Sequence, residues 1–180
     1  MNIFYVDKDP KVCAEMHCDK HVVKMIVEYA QLLSTAHRVL DGTPYYGLTV
    51  TGRRVLRFQL DGSYKEALLY KAAHINHPSA IWVRENFENY YWLYDLFSHL
   101  SDEYTYRYSK RHSTTELLGD ILEIAPDNIP EGVFTQPPQC MPDEYKTKNS
   151  IQAYQNFYIG EKAPFCNWKN REIPKWFITQ

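Results

Sequence analysis

The chain has 180 residues, 44% of them hydrophobic and 23% charged, which suits one folded domain and excludes a disordered, collagen-like or disulfide-scaffold chain. With 20 basic and 22 acidic residues the net charge is −2; this argues against broad non-specific nucleic-acid binding but leaves room for a local basic cleft. No apolar run approaches the roughly 18 to 20 residues that span a bilayer, and the first seven residues lack a basic region followed by an apolar stretch, so a cytoplasmic protein with no membrane partner is expected.

The opening Asn2-Ile3-Phe4-Tyr5-Val6 is too short to decide between strand and extended tail, and Lys8-Asp9-Pro10 ends it as a turn. From about Pro10 to Leu40 no further Gly or Pro intervenes, and Val22, Val23, Ile26, Ala30, Leu33 and Ala36 recur at helical spacing before an Asp41-Gly42 stop. A break near Cys18-Asp19 would divide this into two helices with Asp19 as N-cap. Thr43 to Leu60, with Pro44, Gly47, Gly52 and the basic Arg53, Arg54 and Arg57, reads as a loop that can hold short irregular structure.

Ser63 with Glu66 has capping-box spacing and predicts a helix to about His74. Pro78 then sits just inside the next helix, read from Ser79 to about Tyr108, where apolar residues on nearly every side imply a buried central helix. Ser113-Thr114-Thr115-Glu116 repeats the capping-box pattern before a short helix ending at Pro126. Five prolines between Pro126 and Pro142 mark a loop, and a last helix is expected from about Asn149 to Ile159, stopped by Gly160. The expectation is an all-α, compact single-domain bundle over residues 1–180, with four to six helices and long loops. Cys13, Cys18, Cys140 and Cys166 are too few for a disulfide framework, and no structural disulfide is expected.

The densest chemistry lies in His17-Cys18-Asp19-Lys20-His21, followed by Lys24 and Glu28. On a helix the seven-residue step from His21 to Glu28 returns to within about 20° of the same direction, so His21, Lys24, Glu28, Gln31 and Thr35 form one stripe. That stripe is either a solvated polar face or an acid-base site, since a histidine and a carboxylate two turns apart beside a lysine suit proton transfer. A metal reading competes: His17 and His21 have the i, i+4 spacing of zinc-binding helices, with Cys13, Cys18 and Asp19 nearby, although the glutamate of the zinc-protease motif is lacking. Elsewhere, His74-Ile75-Asn76-His77-Pro78 stands at a helix entrance as a cap or a site. Tyr104 to His112 interleaves aromatics with Arg107, Lys110 and Arg111, a mixture that can stack bases and hold phosphates. Together with Arg53, Arg54, Arg57, Lys146 and Lys148 it could line a positive groove. The 15 Tyr, 8 Phe and 4 Trp serve a core, a stacking surface or both.

Asp19-Lys20-His21, then six residues, then Glu28 resembles the first-helix pattern of the phage endonuclease V type of pyrimidine-dimer DNA glycosylases. Downstream, His77 opening an aromatic-rich helix, the Pro138-Gln139 to Tyr145 loop, Ala153-Tyr154 and Trp168-Lys169 follow in the family's order of features. The resemblance implies a compact, all-α, metal-independent enzyme with no cofactor, most simply a monomer. Its partner would be DNA, double-stranded with local base flipping. An N-terminal α-amine would attack the sugar C1′ of the damaged nucleotide to form an imine, and β-elimination would nick the strand.

Carried over residue by residue, Glu28 stabilises the cationic sugar and handles protons, and His21 contacts DNA or supports Glu28. Asp19, His77, Arg53, Arg54, Arg57, Arg107, Lys110 and Arg111 become candidate nucleic-acid contacts. In the family the amine belongs to a small residue exposed after methionine removal, whereas Asn2 stands second here. The nucleophile would therefore be the Met1 amine, or Lys20 or Lys24 if buried, unless the fold carries different chemistry. Two other functions remain open: a metal-dependent hydrolase built on His17 and His21, and a non-catalytic nucleic-acid-binding module using the aromatic-basic segment.

Overall fold

A computed structural model describes residues 1–178. Residues 1–9 contain no helix or strand, yet Ile3, Phe4, Tyr5 and Val6 are buried. Their backbone is satisfied locally and by side chains: Tyr5 N donates to Ile3 O (2.8 Å), Phe4 N to the Tyr29 hydroxyl (3.2 Å), and Gln155 Nε2 to Val6 O (3.1 Å). An extended segment can cross a core without a sheet if every polar group finds such a partner. It carries Met1 and Asn2 to the flank of the helix that follows.

The expected long first helix is broken. α1 spans Pro10–Met16, capped by the Asp9 carboxylate, which accepts from Lys11 N and Val12 N. His17 and Cys18 are extended, and α2 spans Asp19–Asp41. Its N-cap is therefore Cys18 and not Asp19, whose carboxylate is turned to other partners described below. α2 is buried on nearly every side between Leu32 and Arg38, so it is a central helix of the core rather than a surface one. Its polar stripe is no uniform solvated face: Lys24 is exposed, Glu28 and Gln31 are half-buried, and His21 and Thr35 are buried.

Residues 43–60 correct the loop expectation and the all-α one. β1 (Thr43–Leu48) and β2 (Arg54–Gln59) pair antiparallel as a hairpin, with Tyr46 opposite Leu56 and Leu48 opposite Arg54. The two β-prone runs Thr-Pro-Tyr-Tyr-Gly-Leu and Arg-Val-Leu-Arg-Phe-Gln outweigh the Gly and Pro, because Pro44 sits on an edge and Gly52 takes the positive φ (79°) that the tip requires. The remaining architecture is helical. At the root of the hairpin, Gly42 leaves no room for a Cβ against Arg38 O and Phe58.

α3 is only Lys65–Leu68, far shorter than the expected helix to His74. Glu66 does not close a capping box on Ser63; it accepts from Leu60 N (2.9 Å) and from Arg38 (2.7 Å). Arg38 is the internal clamp here. Its guanidinium also donates to the carbonyls of Tyr70, Phe58 and Leu69, binding residues 58–70 to α2. Further along, Ala73 N donates to Thr35 Oγ1 (3.2 Å), so the segment that carries His74 and His77 runs beside α2.

The expected helix from Ser79 to Tyr108 is two. α4 is Pro78–Val83, with Pro78 at its start and the His77 ring accepting from Ser79 N; α5 is Phe87–Tyr108, capped by the Asn86 side chain, which accepts from Asn89 N. α5 packs along α1 and α2 and is buried through Leu93, Leu96, Phe97 and Leu100. α6 (Ser113–Leu122) is capped by His112 rather than Ser113, its ring accepting from Thr114 N. Residues 126–142 form the proline-rich loop as expected.

α7 is Ser150–Phe157, capped by Asn149. Gly160 does not stop it: the chain continues as a π-helical turn over Tyr158–Lys162, and the missing Cβ of Gly160 is what lets the Tyr145 ring lie against it. α8 is Lys175–Ile178. The described residues thus hold eight α-helices, against the four to six expected, because short capped turns interrupt the long periodic runs. Among the described residues, no helix is long and apolar enough to cross a membrane.

Candidate active site

The N-terminal segment, the first turns of α2 and the turn after α7 enclose an open cleft of about 400 Å³. Met1, His21, Lys24 and Glu28 all line it, and Lys20 and Lys162 stand at its sides. They arrive by three routes. The buried run Ile3–Val6 anchors the N-terminal segment so that Met1 and Asn2 reach the mouth. α2 supplies the polar stripe, and the π-helical turn brings Lys162 round from the other end of the chain.

Within the cleft, Lys24 Nζ lies 2.9 Å from Glu28 Oε1, a one-turn ion pair in which the lysine is 69% exposed and the carboxylate only 18%. The pair fixes a carboxylate at the wall and keeps its cation in solvent. His21 is buried, with Phe4 tilted against its ring at 4.1 Å between centroids and Nδ1 hydrogen-bonded to the Tyr158 hydroxyl. Burial pushes the Tyr158 phenol well above its ordinary pKa, so it remains a protonated hydroxyl against the ring. On a chain of net charge −2, this cleft gathers Lys20, Lys24 and Lys162 around one carboxylate.

His77 adjoins the same site. Its pKa is held below the ordinary histidine value, first by burial and then by the positive charges of the Met1 amine and His74, with the Glu28 carboxylate opposing. The imidazole is therefore within electrostatic range of both the amine and the carboxylate. On its other side it borders a shallow hollow of about 540 Å³ formed with the Pro138 to Lys146 loop. Lys146 is at that hollow, paired to Asp143 at 2.7 Å.

The other expected residues do not converge on the cleft. Arg107 is 1% exposed and lies inside the protein: Nε bonds Glu103 (2.6 Å), Nη1 bonds Asp19 (2.9 Å) and Nη2 donates to Glu15 O. Its guanidinium has no free face for a phosphate, which corrects its reading as a surface contact. Asp19 also accepts from Lys169 N (3.0 Å), so its carboxylate ties the start of α2 to α5 and to the C-terminal segment. Arg53, Arg54 and Arg57 ride on the hairpin at the far end of α2. Lys110 and Arg111 are exposed after the left-handed cap Ser109, and Arg111 borders a separate cleft with Glu116 and Asp120. The bases thus occupy separate surfaces rather than one groove. Lys20 and Lys24 are exposed, so burial activates neither of them.

His17 belongs to the core. Nδ1 is 2.7 Å from Cys13 O and Nε2 is 3.0 Å from the Tyr29 hydroxyl, and burial pushes its pKa down to about 3. Both ring nitrogens are thus engaged by the protein, and among the described residues no three His, Cys, Asp or Glu side chains are grouped to hold a metal ion. Cys18 is buried; a hydrogen bond with Cys166 is the main cause of its depressed pKa, and the Cys166 thiol is pushed up in return. Neither thiol lines the cleft. Phe4, Tyr158, Lys162 and Phe165 are site residues without a local sequence signal, because they are brought in from outside α2.

A helix carboxylate, an imidazole and an α-amine around a cation-rich cleft make a centre fit for acid-base and amine chemistry on an anionic ligand. The family model described as pyrimidine dimer DNA glycosylase matches residues 1–116. The chain belongs to that family of DNA repair enzymes, and the match takes in Met1, the whole of α2, the hairpin and His77. No curated protein and no solved structure matches the chain.

Proposed function

We propose that this chain is a DNA glycosylase with an associated strand-nicking lyase activity. It acts as a monomer on a damaged or modified pyrimidine nucleotide in double-stranded DNA. The observation that supports this most is the presence of Met1, His21, Lys24 and Glu28 in one cleft. An α-amine with an ordinary pKa near 8 has a usable neutral fraction at neutral pH and is a competent nucleophile.

In this reading the Met1 nitrogen forms a bond to C1′ while the C1′–base bond breaks, its electron pair leaving with the base, which takes up a proton. Loss of the amine proton and opening of the sugar ring at O4′ yield an imine. Once protonated, the imine acidifies C2′; the Glu28 carboxylate accepts that proton and the C3′–O bond breaks, releasing the phosphate end. Every atom needed comes from the chain, the DNA and water, so no cofactor enters. Glu28 serves twice, by opposing the positive charge that develops at C1′ and by moving protons. His21 lines the wall beside it, and Lys20, Lys24 and Lys162 draw in the flanking phosphates. A cleft of about 400 Å³ suits a single extruded nucleotide rather than a paired duplex.

Glu28→Gln tests the assignment. On a duplex carrying a thymine dimer, glycosidic-bond cleavage, read as strand nicking, is expected to fall by at least about 100-fold, with the thermal midpoint close to wild type. Full activity in a folded Glu28→Gln protein would overturn the role.

A further inference from the structure

The β1–β2 hairpin is the part of the molecule that the chemistry of the cleft leaves unexplained. Gly42, at its root, follows the end of α2, 14 residues beyond Glu28, or about 20 Å along the helix axis at 1.5 Å per residue. The arm has a two-sided character. In the antiparallel register Pro44 faces Phe58, Tyr46 faces Leu56 and Leu48 faces Arg54, so one surface is almost wholly apolar. Tyr46 is 63% exposed, Leu48 72%, and Val50 at the tip is fully exposed. Surface of this kind on a two-stranded ribbon is costly unless something covers it.

Its charge indicates what covers it. From Thr43 to Leu60 the arm carries Arg53, Arg54 and Arg57 and no acidic residue, on a chain whose overall charge is −2. Arg54 lies over the Tyr46 ring at 3.9 Å, which leaves the edges of the guanidinium free to donate. A two-stranded ribbon also fits the roughly 12 Å major groove of duplex DNA. We propose that this arm is a second DNA-binding element: it seats in a groove of the duplex flanking the damaged nucleotide, with the apolar surface toward the groove, Arg53 and Arg54 on phosphates, and Arg57, opposite Tyr45 on the other face, adding positive charge to the arm. The inference rests on the proposed glycosylase reading for what lies in the cleft, and it adds the extent of duplex the enzyme requires.

At about 3.4 Å per base pair, the root of the arm is some six base pairs from the reacting centre. Short and long substrates therefore separate the two sites. The probe is a duplex with a central tetrahydrofuran abasic analogue and either 4 or 12 base pairs on each side. Wild type is expected to bind the long duplex at least about tenfold more tightly than the short one. In the triple variant Arg53→Gln, Arg54→Gln, Arg57→Gln that ratio should collapse toward one, and the slope of log affinity against log salt on the long duplex should fall by about two to three.

An unchanged ratio and slope in the triple variant, or a wild type indifferent to duplex length, would overturn the proposal. So would a wild-type dimer that the triple variant converts to monomer by sedimentation, since the arm would then be an interface between copies. These arginines are exposed or half-buried, and circular dichroism verifies the fold. If instead the glycosylase reading is wrong, the analogue is bound no better than plain duplex, while the arginine-dependent length effect persists.

Discussion

His17 and His21 sit four residues apart, and their surroundings make them different groups. His21 opens onto the cleft under Phe4, whereas His17 is sealed between Cys13 O and Tyr29 with its pKa pushed down to about 3. His37 is likewise pushed down, to about 4, chiefly by burial. The folded chain keeps both rings neutral, while the unfolded chain protonates them near the ordinary value of about 6.5. Stability from this source is therefore fully present above about pH 6.5 and is lost as pH falls toward 4 and then 3, at roughly 1.4 kcal/mol per pH unit for each histidine. Urea unfolding between pH 7 and 5 should show this decline, and His17→Gln should shrink it by about half. A protein that gains stability on acidification through that range would contradict the assignment. The i, i+4 spacing was legible in the sequence; which of the two rings would be enclosed was not, since that depends on Tyr29, Tyr158 and the N-terminal segment.

At the scale of elements, the helical periodicity of α2, α5, α6 and α7 was legible, and so was the proline-rich loop. Boundaries were not, because capping groups decided them: Asn86 cuts one long apolar run, and His112 takes the cap that Ser113 was expected to supply. The hairpin was hidden because its glycines and proline resemble a loop until the register shows that each sits at an edge or a tip. Arg107 shows the same limit, since an arginine among tyrosines reads as a surface base in sequence, yet here it joins α5 to the start of α2 through Asp19. Arg107→Ala should cost about 1.5–3 kcal/mol, read as a lowered thermal midpoint: the buried bonds to Glu103 and Asp19 are lost, while Arg171 (2.8 Å) still pairs Glu103 and Lys169 N still donates to Asp19. The salt slope of DNA binding should not change with it. A stable Arg107→Ala protein with a reduced salt slope would return this residue to the surface role.

Across the whole molecule, residues 1–6 and 158–165 meet at one place. Residues 1–6 thread the core and present Met1, while the turn at 158–165 folds back to supply Tyr158, Lys162 and Phe165. The central helix between them holds Glu28. The stripe from His21 to Glu28 pointed to this centre from sequence, as did the family pattern, but the partners from either end carry no spacing that announces them. Family membership covers residues 1–116, so the C-terminal wall of the cleft lies outside the matched segment. The proposed chemistry stands on the Met1 amine as the group that attacks the sugar. Borohydride reduction during turnover of a thymine-dimer or abasic duplex, followed by digestion and mass spectrometry of the adduct, identifies the attacking nitrogen. A trapped complex with the deoxyribose remnant on the Met1 nitrogen is expected; an adduct mapped to a lysine, or no adduct from folded protein with DNA in excess, would overturn the role of Met1.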